Sequence, residues 1–139
     1  MSKAGIYLHI PFCRSRCSYC DFATDVYKSA EVVESYVSAL TKEIENFPTG
    51  KTVDTIYFGG GTPSLLSPAQ LDKILGTIYK KFSVADDSEI TMEMNPATVT
   101  LETLKSYKNL GLTRASFGAQ TFDDTELRRL GRKHTAQDA

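Results

Sequence analysis

The sequence contains no tryptophan, few cysteines, almost no net charge and no long hydrophobic run. With 16 Lys plus Arg against 17 Asp plus Glu in 139 residues, the formal net charge of −1 gives no field that would attract nucleic acid or an anionic membrane. No run of about 18 apolar residues is present to span a bilayer. Three cysteines are an odd number and too few for the disulfide framework of a secreted domain. Because the first residues lead directly into a strand pattern without a signal segment, we expect a reducing, cytoplasmic environment.

Hydrophobic periodicity predicts four strands and four helices that alternate along the chain. The strands have apolar–polar alternation or β-branched and aromatic residues, and they cover residues 5–10, 53–58, 89–94 and 114–118. The helices have apolar residues at helical spacing, and they cover residues 31–47, 68–82, 101–110 and 123–131. The residues expected to cap the last three helices are Ser67 with Gln70, Thr100, and Asp123 with Glu126. This regular alternation with short loops is typical of an α/β fold with a parallel sheet.

One face of the predicted sheet is polar, which is unusual for a parallel sheet that helices cover on both sides. The apolar residues expected to face the helices are Ile6, Leu8, Ile10, Ile90, Met92, Ala115 and Phe117. The polar residues at or beyond the strands of the opposite face are Tyr7, His9, Thr91, Glu93, Ser116, Gly118 and Gln120. A polar face indicates a lumen that holds a ligand, so the sequence favours a sheet curved as part of a barrel.

Motifs that carry chemistry occur where each predicted strand ends. A cysteine cluster follows the first strand, and a glycine run, Gly59–Gly61, follows the second. Glu93 closes the third strand and Gln120 follows the fourth. Because the carboxyl ends of parallel strands meet at one end of a barrel, we expect these motifs to converge on one rim. Taken singly, the glycine run is compatible with a plain turn, the two polar side chains with solvated strand ends, and Arg132 with a basic helix end.

The three cysteines have the spacing C-x-x-x-C-x-x-C, at Cys13, Cys17 and Cys20. Thiolates this close can bind one iron–sulfur cluster or one zinc ion. A closed site has four ligands, and the sequence offers no fourth cysteine, so His9 or His134 would have to complete a zinc site. A cluster held by three thiolates instead leaves one iron open to a substrate or cofactor. Three unligated thiols are the remaining interpretation.

The motifs, in their order, resemble those of the radical S-adenosylmethionine enzymes. The matching segments are YLHIPFCRSRCSYCDF at 7–22, GGGTP at 59–63, EMNP at 93–96, GAQTF at 118–122 and LGRKHT at 130–135. The resemblance covers essentially the whole chain and is to the group that contains oxygen-independent coproporphyrinogen III oxidases and HemW-type heme chaperones. It implies a partial (β/α) barrel of the radical S-adenosylmethionine type, of which about four parallel βα units are present.

The resemblance also implies cofactors and the residues that bind them. In this family three cysteines, here Cys13, Cys17 and Cys20, hold a 4Fe-4S cluster whose fourth iron is chelated by S-adenosylmethionine. Electron transfer then cleaves the sulfonium to methionine and a 5′-deoxyadenosyl radical. The residues implied to contact S-adenosylmethionine are Tyr7, Tyr19, Gly60, Gly61, Thr62, Glu93, Gln120 and Arg132. No catalytic residue is assigned from the sequence.

Two features favour a heme chaperone within this group. The oxidases typically continue the motif with another cysteine, whereas Asp21 and Phe22 follow Cys20 here, and the first strand begins only a few residues from the start. The chaperone interpretation implies heme as cargo, a heme-accepting client protein, an electron donor for the cluster, and contact with a membrane only through the client. Oxidative decarboxylation of coproporphyrinogen III is the alternative, and a zinc-binding module without redox chemistry is a third hypothesis.

The length fits only part of the fold that the resemblance implies. Members of this family continue through further strands and a C-terminal domain, and four strands cannot close such a barrel. We therefore expect residues 1–139 to be the N-terminal portion of a radical S-adenosylmethionine core domain, truncated before the rest of the barrel.

Overall fold

The structure is a computed structural model that describes residues 2–139, and it has the predicted alternation of strands and helices. The strands of the described residues are β1 (Lys3–Ile10), β2 (Phe12–Cys13), β3 (Asp25–Val26), β4 (Thr52–Gly60), β5 (Val84–Met94) and β6 (Arg114–Phe117). Their α-helices are α1 (Ala30–Asn46), α2 (Pro68–Lys81), α3 (Leu101–Asn109) and α4 (Asp124–Arg129). Short 3-10 turns follow β4 at Pro63–Leu65 and β5 at Pro96–Thr98. The predicted α/β class is confirmed.

The main sheet has four strands in the order β1-β4-β5-β6, and every pair is parallel. Within this sheet, strands that follow one another in the chain are therefore neighbours. Because crossovers between parallel strands are right-handed, successive crossovers in one direction place their helices on the same face. The opposite face stays open at β1, where the side chain of Tyr7 is 60% exposed. The predicted partial barrel is consistent with this one-sided arrangement.

The core lies between the helices and the apolar face of the sheet. Its sheet side chains include Leu8, Ile10, Ile56, Phe58, Ile90, Met92 and Met94, all buried. The helices contribute Val33, Val37, Leu71, Ile74, Leu75, Ile78 and Tyr107. The register pairs Met92 with Ala115 and Met94 with Phe117. Ala115 and Phe117 therefore lie on the same face of the sheet as the buried methionines, as predicted. Phe117 is nevertheless 42% exposed, because β6 is the outer strand among the described residues and one flank has no neighbour.

Local capping interactions set the helix boundaries that the sequence predicts. Ser67 Oγ accepts from the backbone N–H of Gln70 at 3.2 Å, and the Gln70 side chain accepts from Ser67 N–H at 2.9 Å. Asp123 Oδ1 likewise accepts from Thr125 and Glu126 N–H at 2.7 and 3.0 Å. Such caps each stabilise a helix by about 1 kcal/mol, so α2 and α4 begin where they do for local reasons.

A second, two-stranded parallel ladder was not predicted from the sequence. It pairs Phe12 with Asp25 and Cys13 with Val26, which joins the two ends of the cysteine segment. Flanking hydrogen bonds run from Asp25 N–H to Pro11 O and from Tyr27 N–H to Cys13 O, each 2.7 Å. A two-residue strand is too short to produce periodicity, but it closes the cysteine segment into a loop.

Among residues 2–139, none of the helices has the length and apolar character that a membrane-spanning helix needs.

Tyr107 is expected to make stability depend on alkaline pH. Its side chain is fully buried, its hydroxyl donates to Leu66 O, and burial raises its pKa from 10.0 to about 12. The unfolded chain ionises this phenol near pH 10, whereas the folded chain keeps it protonated. The stability that the protonated, buried phenol contributes is therefore complete below pH 10. It is lost as pH rises toward 12, which lowers the free energy of unfolding by about 2–3 kcal/mol.

Denaturant unfolding of the wild type and of Tyr107→Phe between pH 8 and pH 11.5 tests this expectation. The variant loses about 1 kcal/mol at pH 8 with the hydrogen bond, and its stability then falls less steeply with pH than that of the wild type. The comparison cancels the effect of other tyrosines and lysines. Parallel pH curves for the two proteins would contradict the prediction.

Candidate functional site

The carboxyl ends of β1, β4, β5 and β6 surround one cavity of about 250 Å³. The cysteine loop contributes Cys13, Ser15, Cys17, Tyr19, Cys20, Phe22 and Thr24 to its lining. The strand ends and the segment after α4 contribute Gly60, Gly61, Thr62, Glu93, Met94, Asn95, Ser116, Phe117, Gly118, Gln120 and Arg132. The structure thus brings every predicted site residue to this cavity except Tyr7. The cause is the parallel topology, which places all four strand ends on one side.

Backbone hydrogen bonds fix the cysteine loop to the glycine turn. Gly61 N–H donates to Ile10 O at 2.8 Å, and Thr62 N–H donates to Phe12 O at 2.7 Å. The pairing of β1 with β4 therefore continues beyond both strands. Inside the loop, Cys20 N–H donates to Cys17 O at 3.1 Å and forms a turn.

The three thiols are free and half-buried, and polar groups surround them. Thr62 Oγ1 lies 3.6 Å from Cys13 Sγ, and Arg132 Nη1 lies 3.5 Å from Cys17 Sγ. Burial raises the pKa of Tyr19, with the neighbouring Cys17 adding to the shift and Arg132 opposing it. A hydroxyl and a guanidinium thus lie beside two of the three sulfurs, and thiolates are the form of cysteine that binds iron.

Glycine is required at two positions of the turn. Gly60 has a φ of 113°, and a Cβ there would stand 2.8 Å from the imidazole of His9. A Cβ on Gly61 would stand 2.7 Å from Phe12 O and 3.0 Å from Cys13 Sγ. The absence of both side chains lets this backbone lie close to His9 and to the cysteine loop.

Glu93 is held by a tyrosine that the sequence analysis did not identify. Tyr57 donates its phenolic O–H to Glu93 Oε1 at 2.7 Å, and Gly60 N–H donates to Oε2 at 3.3 Å. The hydrogen bond to Glu93 raises the pKa of Tyr57, with burial and the charge of the carboxylate adding to it, so the phenol stays protonated. Because Tyr57 precedes Gly59 by two positions on the polar face, strand alternation was the signal that could have found it.

Tyr7 stands outside the cavity, on the open face of β1. Its ring stacks on Tyr57 with a centroid distance of 6.1 Å, and its hydroxyl lies 3.1 Å from His9 Nδ1. Burial and the charge of Glu93 raise its pKa. Tyr7 is therefore linked to Glu93 through Tyr57, and its direct contact with a cofactor stays a prediction.

Neither histidine lines the cavity. His9 Nε2 lies 2.7 Å from Ala23 O and joins β1 to the cysteine loop, while Nδ1 contacts Tyr7 within β1. His134 is 3% exposed and its Nε2 lies 3.1 Å from Ala119 O. Both rings are engaged in contacts with the fold, which gives no support to either as the fourth ligand of a zinc ion.

Gln120 is the one residue other than glycine with a positive φ in the described chain, at 67°. Thr121 N–H donates to Ala119 O across it at 2.8 Å, which makes a three-residue turn of a rare and strained type. A non-glycine residue in such a conformation costs about 1–3 kcal/mol, and strain of this kind clusters at functional sites. The sequence predicted Gln120 as a site residue but contained no signal for its backbone conformation.

The cavity also contains buried polar atoms without partners. Among residues 2–139, the buried side-chain atoms without a hydrogen bond are Thr24 Oγ1, Arg132 Nε and His134 Nδ1, and the first two belong to residues lining the cavity. Unpaired buried groups are costly, so this lining fits a polar ligand. No three His, Cys, Asp or Glu side chains of the described residues converge tightly enough to hold a single metal ion. The ligands of a cubane bind different irons and stand farther apart.

A larger cavity of about 420 Å³ lies between the outer edge of β1 and the end of α1. Its lining is mainly apolar, with Ile6, Leu8, Leu40 and Ile44, and it contains no thiol. Its greater volume does not make it the functional site, because the chemistry-bearing residues lie at the smaller cavity. We therefore assign the functional site to the smaller cavity.

Comparison with known proteins gives matches over nearly the whole chain. Residues 7–139 match the family described as the Radical SAM superfamily. The heme chaperone HemW of Escherichia coli K12 is 40% identical over 138 residues, which are 97% of this chain and 36% of that protein. The heme chaperone HemW of Synechocystis is 44% identical over 144 residues, covering 99% and 35%. A mouse protein, radical S-adenosyl methionine domain-containing protein 1, mitochondrial, is 35% identical over 140 residues, covering 99% and 32%.

The fold also matches a solved structure, that of coproporphyrinogen III oxidase (HemN) from Escherichia coli, described as a radical SAM enzyme. The match has a TM-score of 0.89 and 29% sequence identity, and it covers 98% of this chain and 32% of that chain. The chain thus spans about a third of the length of these relatives.

Proposed function

The chain belongs to the radical S-adenosylmethionine superfamily, and we propose that it forms the cluster- and cofactor-binding part of a HemW-type heme chaperone. The observation that carries this proposal is the cavity, where one loop presents three free thiols beside a glycine turn, a carboxylate and a guanidinium. Because the relatives named HemW are about three times longer than this chain, heme binding and transfer are proposed for the whole protein.

Cys13, Cys17 and Cys20 are proposed to bind three irons of a 4Fe-4S cluster. The family implies this cluster together with S-adenosylmethionine. When bound, the cluster supplies the electron that cleaves the sulfonium of S-adenosylmethionine. The β2–β3 ladder and the bond from Thr62 N–H to Phe12 O fix the ends of the loop that carries the thiols without any metal. Preorganisation of this kind lowers the entropy lost on binding.

S-adenosylmethionine is proposed to bind beside the thiols through groups of complementary charge. Glu93 is the one carboxylate among the described residues that line the cavity, and it fits the ammonium group of the methionine part. Arg132 is the one guanidinium there and fits an anionic group. The glycine backbone at 60–61 admits the ligand, while Thr62, Tyr19 and Gln120 are further contacts.

Tyr57→Phe is expected to weaken S-adenosylmethionine binding by roughly tenfold, because a hydrogen bond to a carboxylate contributes about 1.5–3 kcal/mol. The variant leaves Glu93 with only the 3.3 Å bond from Gly60 N–H, so the carboxylate is less well oriented. Iron and sulfide content should not change. Titration of the reconstituted protein with S-adenosylmethionine, followed by the spectrum of the reduced cluster, measures the effect.

Tyr79→Phe is the matched control, because Tyr79 lies on α2 and is 46% exposed. It should bind the cofactor like the wild type, whereas Glu93→Ala should bind it more weakly than Tyr57→Phe does. Equal affinity of Tyr57→Phe and the wild type would show that Tyr57 does not orient Glu93.

Coproporphyrinogen III oxidase activity is the second candidate, because the solved structure that matches this chain belongs to that enzyme. Phe22 favours the chaperone: it stands where the oxidases typically continue with cysteine, and its side chain lines the cavity with 70% of its surface exposed.

A single anaerobic preparation distinguishes the candidates. The chaperone should contain iron and sulfide, bind added heme stoichiometrically and release no carbon dioxide from coproporphyrinogen III. Decarboxylation with formation of 5′-deoxyadenosine would favour the oxidase, and a protein with an intact cluster that fails to bind heme would overturn the chaperone proposal. Zinc without iron or sulfide would overturn both.

We also propose that residues 1–139 are the N-terminal portion of a radical S-adenosylmethionine core domain located in the cytoplasm. The coverage of the relatives and the outer position of β6 in the sheet support this proposal. The client protein and the electron donor would then contact the complete protein.

A further inference from the structure

Two side chains from the segment after α4 hold two consecutive carbonyl groups of the turn after β6. Arg132 Nη2 donates to Gly118 O at 2.6 Å, and His134 Nε2 lies 3.1 Å from Ala119 O. These carbonyls immediately precede Gln120, whose φ is 67°. The strained turn is therefore held from one side by a single segment of chain.

The contact made by His134 shows which of its two ring nitrogens acts as a donor. A carbonyl oxygen only accepts hydrogen bonds, so Nε2 must carry the proton toward Ala119 O. The ring is 3% exposed, and Nδ1 is buried without a partner in the described part of the chain. The hydrogen bond to Ala119 O is thus the polar contact that this ring makes with the fold.

Helix α4 anchors the segment that carries both side chains. Gly131 N–H donates to Arg128 O at 3.1 Å, and Arg132 N–H donates to Leu127 O at 2.9 Å. The Leu127 side chain is 1% exposed, so the end of the helix is packed against the rest of the molecule. This anchoring makes the His134 ring a fixed support rather than a mobile surface group.

We propose that His134 is a positioning residue for the cofactor site. Its Nε2–H holds the Ala119 carbonyl, which keeps Gln120 in the strained conformation and keeps its side chain at the cavity. Without this bond the turn relaxes toward ordinary dihedral angles, because a strained conformation persists only where its surroundings hold it. The identity of the ligand as S-adenosylmethionine rests on the proposed function, but the support of the turn does not.

The test compares His134→Leu with His134→Gln. Leucine fills space without a donor, whereas the amide of glutamine places an N–H near the position of Nε2. In the protein without cluster or cofactor, amide hydrogen exchange of residues 118–122 should be roughly fivefold faster in His134→Leu and close to wild type in His134→Gln. In the reconstituted protein, affinity for S-adenosylmethionine should fall roughly fivefold in His134→Leu and recover in His134→Gln, with iron and sulfide unchanged.

Unchanged exchange and affinity in His134→Leu would overturn the inference. Loss of protection throughout α1 and α2 in both variants would also overturn it, because His134 would then have a general structural role. If only His134→Leu fails to fold, retained protection and affinity in His134→Gln support the inference, and their loss overturns it. A wild-type protein that assembles a cluster but does not bind S-adenosylmethionine would contradict the proposed function, while the exchange comparison still decides the role of His134.

Discussion

Cys17→Ala is expected to fold normally and to lose the iron–sulfur cluster. The thiol is half-buried in a loop outside the hydrophobic core, so its removal should change the free energy of unfolding by less than about 1 kcal/mol. Cluster assembly depends on it, because the sequence contains only three cysteines and a cubane bound by two of them would leave two irons without a protein thiolate. Iron and sulfide should fall from about four of each per chain to near zero after anaerobic reconstitution.

Ser18→Ala is the matched control, because Ser18 is an exposed neighbour in the same loop and is not a proposed ligand. It should assemble the cluster like the wild type, and thermal unfolding of both apo variants should show that each is folded. Cys13→Ala and Cys20→Ala should behave like Cys17→Ala. Full iron and sulfide in any of the three cysteine variants would refute the ligand assignment.

Gly61→Ala is expected to destabilise the protein and impair cluster assembly together. Its Cβ would stand 2.7 Å from the backbone oxygen of Phe12 and 3.0 Å from Cys13 Sγ, so the glycine turn and the cysteine loop must separate. Separation stretches the bonds from Gly61 N–H to Ile10 O and from Thr62 N–H to Phe12 O. Overpacking of this kind costs about 1–3 kcal/mol, which denaturant unfolding would measure.

Gly76→Ala provides the opposite control for the same chemical change. Gly76 lies inside α2, and a Cβ there would meet no atom within 4 Å. Alanine should stabilise this helix by about 1 kcal/mol and leave cluster content unchanged. If Gly61→Ala is as stable as the wild type and retains its cluster, the close approach of the glycine turn to the cysteine loop is not required.

The sequence predicts well those features that depend on neighbours along the chain or on strand topology. Helices α2 and α4 begin where Ser67 and Asp123 accept hydrogen bonds from the first turn. The common rim was predicted because each motif ends a strand and parallel strands end on the same side. No side-chain geometry was needed for either conclusion.

Other features depend on contacts between distant segments, and periodicity does not contain them. The β2–β3 ladder has two residues per strand, too few for a pattern. In the sequence, Tyr57 has the pattern of an ordinary aromatic residue in a strand. Its role depends on the pairing of β4 with β5, which places Glu93 beside it. Gln120 shows no preference for a positive φ, so its conformation follows from the contacts around the turn.

The contact between Arg132 and Cys17 joins residues 115 positions apart. A chain is synthesised from its N-terminus at about 5–20 residues per second, so the thiols leave the ribosome several seconds or more before the arginine. During that interval Cys17 lacks this contact, and its thiol is more open to oxidation or to the wrong metal. We therefore expect productive metal loading in the cell to follow translation of α4 and of the segment after it that carries Arg132.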